Sequence, residues 1–275
     1  MAAHGNKINA GREYYVVKSN EIIQKGRYNL STTQQKIILY AISKLKKNDD
    51  PNKLYEISID ELCRICGFDI DSGGVYYKKL KADMKKLTTP VWVQFPDQSE
   101  WTVAWFSNVG IVPLSGTVYV QFHEKVRDHL FALQEKYTQY HLSEVLVYKN
   151  KYAIRLFEIL RSFFTQEDLD NGIVKDPIII SVKHLREQFC LSAYPAFGEF
   201  ERNVLKKAVA EINEYAEQMK IRYEKIKSGT RIDKIKFIVE SPDFDERVKR
   251  YENERRVLKK YKGHDKSKKL DGLPV

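Results

Sequence analysis

Arg202, Asn203, Lys206 and Lys207 stand close together in the stretch FGEFERNVLKKAVAEINEYAEQMKIRYEKIKSG, Phe197 to Gly229. Their side chains suit the reading of nucleic acid. Arginine can offer two donors to a guanine edge, asparagine a donor and an acceptor to adenine, and lysine a charge to phosphate. Around them Phe200, Val204, Leu205, Ala208, Val209, Ile212, Ala216 and Met219 recur every three or four residues, which predicts a helix with one buried stripe. The polar four fall opposite that stripe. Ile221 and Tyr223 then alternate with Arg222 and Glu224, Gly229 ends the strand, and Ile232, Ile235, Phe237 and Val239 supply a partner. A helix with a basic face followed by a charged hairpin can enter a nucleic-acid groove. It also describes an ordinary solvated helix, with Arg202 and Lys206 merely four apart, so the rest of the chain must decide.

The elements that position these residues need a core, and 275 residues at 43% hydrophobic supply one or two domains. The formal net charge of +10, from 47 basic and 37 acidic residues, favours phosphate polymers and anionic surfaces as partners. Residues 241–275 hold 11 Lys and Arg against 7 Asp and Glu, so the excess is spread along the chain. The opening MAAHGNKINA lacks the apolar run of a signal peptide, and no stretch approaches a membrane span. The odd set Cys63, Cys66 and Cys190 fits a reducing compartment, and a cytoplasmic location is expected.

Catalytic signatures are missing where they would be legible. There is no G-x-x-x-x-G-K-[ST] loop and no H-E-x-x-H. The six histidines are scattered at positions 4, 123, 129, 141, 184 and 264, so the 17 tyrosines have no metal cluster beside them to support strand nicking. His123 and His129 flank a predicted strand-to-helix junction without an acidic triad. Cys63-Arg-Ile-Cys66 lacks a second ligand pair for zinc and reads as structural thiols on a helix. No enzyme activity, metal or cofactor is expected. Trp92, Trp101 and Trp105 read as packing residues.

One order of elements occurs twice. LSTTQQKIILYAISKL opens with a capping-box spacing, Ser31 to Gln34, and continues as a helix. YEISIDELCRICGF gives a short strand, a cap at Ser58 with Glu61, a second helix and a stop at Gly67. GGVYYKKLKADMKKLTTP gives a third helix, with Tyr76, Leu80, Met84 and Leu87 on one side and Lys78, Lys81 and Lys85 on another. VWVQF and WTVAWFSNVGIV follow as strands. In the second half NKYAIRLFEILRSFF, PIIISVKHLREQFC and the opening stretch repeat the sequence of helix, strand, helix, helix, hairpin. Ile57, Ser58 and Leu62 match Ile180, Ser181 and Leu185 at an offset of 123, and Leu80, Met84 and Leu87 match Leu205, Val209 and Ile212 at 125. The expected fold is therefore α+β: two tandem winged-helix domains related by internal structural duplication. In that fold the third helix can enter a major groove, and the hairpin, or wing, adds phosphate contacts. Lys225, Lys227, Arg231 and Lys234 are the wing candidates.

With LSTTQQKIILYAISKL, KYAIRLFEILRSF and FGEFERNVLKKAVAEIN in place, the sequence resembles the iteron-binding plasmid replication initiators with twin winged-helix domains, over roughly residues 14 to 240. The resemblance implies a bacterial, plasmid-associated protein that binds direct repeats in double-stranded origin DNA as a monomer, helps open the duplex and recruits the host helicase or initiator proteins. It further implies repression of its own promoter by a homodimer formed through domain 1. Carried onto this chain, the readers are Glu199 to Tyr215, with Arg202, Asn203, Lys206 and Lys207, and Gly74 to Leu87, with Lys78, Lys81 and Lys85. A winged-helix transcriptional repressor without a replication role, or a scaffold whose ligand is protein, remains open on residue chemistry alone.

The expected boundaries are 14–127 for the first winged-helix domain, 128–148 for a helical connector, 149–240 for the second domain, and 241–275 for a basic, partly disordered extension. Leu130, Leu133 and Tyr137 keep helical spacing in the connector. In the extension Val248, Tyr251, Arg255 and Leu258 permit a helix packed on the second domain.

Overall fold

Seen in a computed structural model that describes residues 15–46, 48–50, 52–66, 75–94, 100–112, 115–131, 133, 136–172 and 176–262, the chain forms its elements in the following order. The first half contains β1 (Tyr15–Ser19), α1 (Asn20–Lys25), α2 (Thr32–Ser43), β2 (Tyr55–Ser58), α3 (Ile59–Cys66), α4 (Val75–Lys86), β3 (Val91–Gln94), β4 (Glu100–Val103), β5 (Phe106–Val112), β6 (Thr117–Phe122) and α5 (Glu124–Arg127). Then come β7 (Tyr137–His141) and α6 (Ser143–Leu146). The second half contains α7 (Lys151–Arg161), α8 (Gln166–Asp170), β8 (Ile178–Ser181), α9 (Val182–Gln188), α10 (Phe197–Phe200), a π-turn at Glu201–Leu205, α11 (Lys206–Tyr215), β9 (Lys220–Ser228), β10 (Arg231–Glu240) and α12 (Phe244–Lys262).

Two three-stranded antiparallel sheets have the same topology, β2-β6-β5 and β8-β10-β9. In each, the short strand before the second helix pairs with the last strand of a hairpin, Ile57 opposite Val118 and Ile180 opposite Ile235. With α3 and α4 packed on one sheet and α9 and α11 on the other, the chain is two tandem winged-helix domains.

Local chemistry starts the helices where expected. Ser31 Oγ accepts from Gln34 N–H while Gln34 Oε1 accepts from Ser31 N–H, a complete capping box on α2. Ser181 caps α9 through His184 N–H at 3.0 Å, and Ser58 accepts from Glu61 N–H at 3.4 Å. The stop expected at Gly67 lies outside the described residues, as does residue 14.

Every residue from Gln34 to Ser43 on α2 and from Ala153 to Arg161 on α7 is buried. These are the first helices of the two domains, and they pack on one another as well as on the helices of their own domains, α2 on α3 and α4, α7 on α11. Their apolar residues, such as Ile37, Ile42, Ile154 and Leu160, each contribute about 1.5–3 kcal/mol by leaving water. Several of their buried polar residues have partners outside their own helix. Lys36 Nζ donates to Leu146 O at 2.5 Å, and Gln35 Nε2 to Lys151 O at 3.1 Å. Arg155 donates to Ile23 O and Gly26 O at 3.1 Å each, and to the Tyr28 hydroxyl.

Three expectations are corrected. Tyr137 begins β7 rather than ending a helix. β7 pairs with β1, Val17 opposite Gln139, and alternate residues Thr138 and Tyr140 are buried, a period of two that the three helical-looking positions concealed. In domain 1 the run WTVAWFSNVGIV breaks at Ala104–Trp105, because Trp105 turns into the core and packs edge-on against Tyr28. The run thus contributes β4 to a separate hairpin with β3, and β5 to the winged-helix sheet with β6. Finally, α12 packs on the second domain as expected and Leu258 meets its core, but Val248 and Tyr251 do not. Val248 and Tyr251 are exposed, whereas Arg250 and Glu254 are buried, because Arg250 donates to Ala216 O and Met219 O at 2.7 Å each. The expectation for 263–275 lies outside the described residues.

Candidate nucleic-acid interface

The second domain builds its outward helix from both sides. Phe200, Val204, Leu205, Ala208, Val209 and Ile212 are buried, and α11 packs on α7, β9 and α12. Arg202, Lys206 and Lys207 are exposed on the other side and Asn203 is half-buried. Arg202 and Lys207 form no ion pair among the described residues.

α10, the π-turn and α11 run on as one helix, since the joining residues Glu201 and Lys206 are both right-handed helical. Lys206 N–H bonds Glu201 O, five residues back, so Arg202 and Asn203 sit inside the widened turn. π-turns are rare and concentrate at functional sites.

Arg186 of α9 fixes where this helix starts. Its guanidinium donates to Pro195 O at 3.2 Å and Ala196 O at 3.4 Å, and lies 4.8 Å from the Phe200 ring centroid. Glu211 holds the other end, accepting from Lys149 N–H at 2.7 Å and Asn150 N–H at 3.0 Å, just ahead of α7. Sequence reasoning missed both residues. Their partners are backbone groups 9 to 62 positions away, which no local pattern signals.

In the wing, Gly229 takes φ 60° in the turn between β9 and β10, a conformation that suits glycine. Pairing sorts the wing's charges. At its base Arg222 meets Glu240 at 2.6 Å and Lys236 meets Glu224 at 3.0 Å. Toward the tip Lys227, Arg231 and Lys234 are exposed and without an ion pair among the described residues. Lys225 differs, since its Nζ lies 3.3 Å from Glu201 on the outward helix.

In the first domain Lys78, Lys81 and Lys85 are exposed on α4, opposite the buried Leu80 and Met84 and the Leu87 that follows. The buried Asp83 accepts from Gln34 Nε2 at 2.8 Å, which ties α4 to the central helix α2. The Tyr76 and Trp92 side chains lie outside the described residues. Trp105 is core, and Trp101 is 48% exposed beneath Lys125, whose Nζ is 4.8 Å from its ring centroid.

Cys63 is buried, Cys66 half-buried and Cys190 exposed, all as free thiols. Burial pushes the Cys63 thiol up to about 12, so it is not activated. Among the described residues no group of three or more His, Cys, Asp or Glu side chains could hold a metal ion, and no helix is long and apolar enough to cross a membrane.

Duplicated winged-helix domains, each with a basic third helix facing outward, define a tandem winged-helix protein. Two family models divide the chain between them: "Initiator Replication protein, WH1" matches residues 15–161, and "Initiator Rep protein, WH2" matches residues 181–239. The chain belongs to the initiator replication protein family. A replication initiation protein of Escherichia coli is 25% identical over 233 residues, covering 83% of this chain and 70% of that protein. The PI protein of Escherichia coli is 27% identical over 148 residues, 48% of this chain and 47% of that protein. A solved structure described as Pi initiator protein in complex with iteron DNA has the same fold, with TM-score 0.66 and 19% identity over 86% of this chain and 100% of that one.

Proposed function

We propose that this protein initiates plasmid replication by binding direct repeats in double-stranded origin DNA, with the outward helix of the second domain as the principal reader. The observation that carries the reading is the unpaired polar face of that helix, Arg202 and Lys207 above a fully buried stripe, in a family of replication initiators. Arg202 and Asn203 contact base edges. Lys206 and Lys207 meet phosphate, as do Lys227, Arg231 and Lys234 on the wing. Lys78, Lys81 and Lys85 of the first domain hold the neighbouring groove. Lys225 belongs to the same wing, with Glu201 already at its side.

A relative's structure bound to iteron DNA supports repeats as the target class. Homodimerisation through domain 1, autorepression and recruitment of host helicase or initiator proteins belong to the same proposal.

The test is Arg202→Ala beside Lys207→Ala in the folded full-length protein, measured by fluorescence anisotropy across a salt series. The probes are a duplex carrying the origin repeat, located by footprinting on its own replicon, and a scrambled duplex. Arg202→Ala is expected to weaken repeat binding selectively, by about 1–3 kcal/mol for one bidentate contact. Lys207→Ala is expected to weaken both duplexes alike and to flatten the salt dependence. Unchanged affinity and discrimination in both variants overturns the assignment of this helix.

A further inference from the structure

The outward helix and the wing share one carboxylate. Glu201, in the π-turn immediately before Arg202, accepts from the Tyr223 hydroxyl at 3.0 Å through Oε1 and from Lys225 Nζ at 3.3 Å through Oε2. Its side chain is only 14% exposed, while that of Lys225 is 46% exposed. Both donors lie on β9, 22 and 24 residues away. Lys225 Nζ also lies 6.0 Å from the Phe197 ring centroid, so the lysine is laid against the start of the helix rather than projected from the wing. The Lys206 charge also favours the ionised form of Glu201. Burial pushes the carboxyl up, but its bonds to Tyr223 and Lys225 outweigh that and hold it below the ordinary range.

A carboxylate here works against attraction to a polyanion. It repels phosphate and occupies a lysine that would otherwise bind one. A glutamine oxygen could also accept from Tyr223, though less strongly, so the tether does not by itself require a negative charge. Binding to arbitrary DNA is almost wholly a matter of phosphate contacts, whereas the correct repeat also rewards well-aimed base contacts. A residue that removes a phosphate contact while fixing the aim of Arg202 and Asn203 raises the ratio of specific to non-specific binding.

Resting on the DNA-reading face proposed above, we infer that Glu201 is a positioning residue that sets specificity: it withholds Lys225 from the phosphate backbone and, through Tyr223, clips the wing to the reading helix.

The experiment uses the folded full-length protein, the origin-repeat and scrambled duplexes, and anisotropy over a potassium chloride series. Glu201→Gln keeps the acceptor for Tyr223 and frees Lys225. It is expected to bind scrambled DNA more tightly, with a log–log salt slope steeper by about 0.9 for one added phosphate contact, and to discriminate less. Lys225→Gln alone is expected to leave the slope unchanged, and Glu201→Gln with Lys225→Gln to return it to the parental value. Tyr223→Phe, which keeps the ion pair and loses the tether, is expected to lose discrimination without a change of slope. An unchanged slope and ratio in Glu201→Gln overturns the inference. So does a slope that falls by about 0.9 in Lys225→Gln, because Lys225 would then already sit on phosphate. Arg202→Ala run alongside separates the two levels. If it loses discrimination while Glu201→Gln matches the parent, the role of Glu201 alone is wrong; if Arg202→Ala also matches the parent, the reading face beneath it is wrong.

Discussion

Glu158, on the first helix of the second domain, forms an ion pair with Lys18 of the N-terminal strand, and each side chain is only 2% exposed. The same carboxylate accepts from the Tyr140 hydroxyl and lies 3.6 Å from Arg155, whose guanidinium in turn holds the chain around Ile23 and Gly26. Burial lowers the affinity of the Lys18 amine for its proton, and Glu158 opposes that. The domains therefore meet through charges that water cannot reach.

Removing one member of this set leaves the other uncompensated. Glu158→Ala is expected to destabilise the protein by about 3–5 kcal/mol, whereas Lys18→Met with Glu158→Leu recovers only the share owed to Lys18, because Arg155 and Tyr140 still lose their carboxylate. Urea unfolding checks both. A midpoint for Glu158→Ala equal to the parent's would show that the pair carries no such weight.

Arg250 anchors α12 by two charge-assisted bonds to the chain leaving α11. Each such bond contributes about 1.5–3 kcal/mol. Arg250→Ala is expected to release α12, seen as faster amide hydrogen exchange over residues 244–262 with the central helices α2 and α7 still protected. Equal protection of α12 in variant and parent would contradict this.

The same dock should respond to pH. Burial pushes Glu144 of α6 up to about 7. Burial, and then the Glu254 carboxyl of α12, push Glu217 up to about 8. The bond from His141 N–H and then Arg161 at Glu144, and Arg247 at Glu217, pull the other way without prevailing. Both carboxyls keep a proton in the folded state above the ordinary value of 4.5, so their stabilisation is complete below that pH and is lost as pH rises through 7 and 8. Glu217→Gln cannot ionise and is expected to show a smaller fall in thermal midpoint between about pH 5 and pH 9 than the parent. Parallel curves would exclude this carboxyl as the source.

In the first domain, Lys78, Lys81 and Lys85 changed together to Gln leave the buried Leu80, Met84 and Asp83 untouched. If all three meet phosphate, the log–log salt slope for repeat DNA falls by about 2.7, at about 0.9 for each contact. Sequence discrimination should persist. Binding with a parental slope would remove this helix from the interface.

Much of the fold was legible because its signals are local. Ser31 with Gln34, Ser181 ahead of α9, and the stripe from Phe200 to Ile212 act within a turn or two of chain, and each element formed at its expected place. The failures have one cause in common. β7 pairs with a strand more than a hundred residues away, and Trp105 breaks a strand-like run because Tyr28 lies across the core from it. The apolar Val248 and Tyr251 stay in water because Arg250 finds two buried carbonyl groups and turns its own face of the helix inward.

By itself the sequence determined the duplicated order of elements and the outward basic helices, since periodicity and capping depend on neighbours three or four residues apart. Only the tertiary structure decided which charges are free to meet a ligand. Arg155, Glu158, Lys18 and Lys36 carry charge-bearing side chains yet lie buried between the domains, and Lys225 is engaged by Glu201. Whether a charge faces solvent or is neutralised depends on which groups folding brings within a few ångströms of it, and those groups lie far apart along the chain.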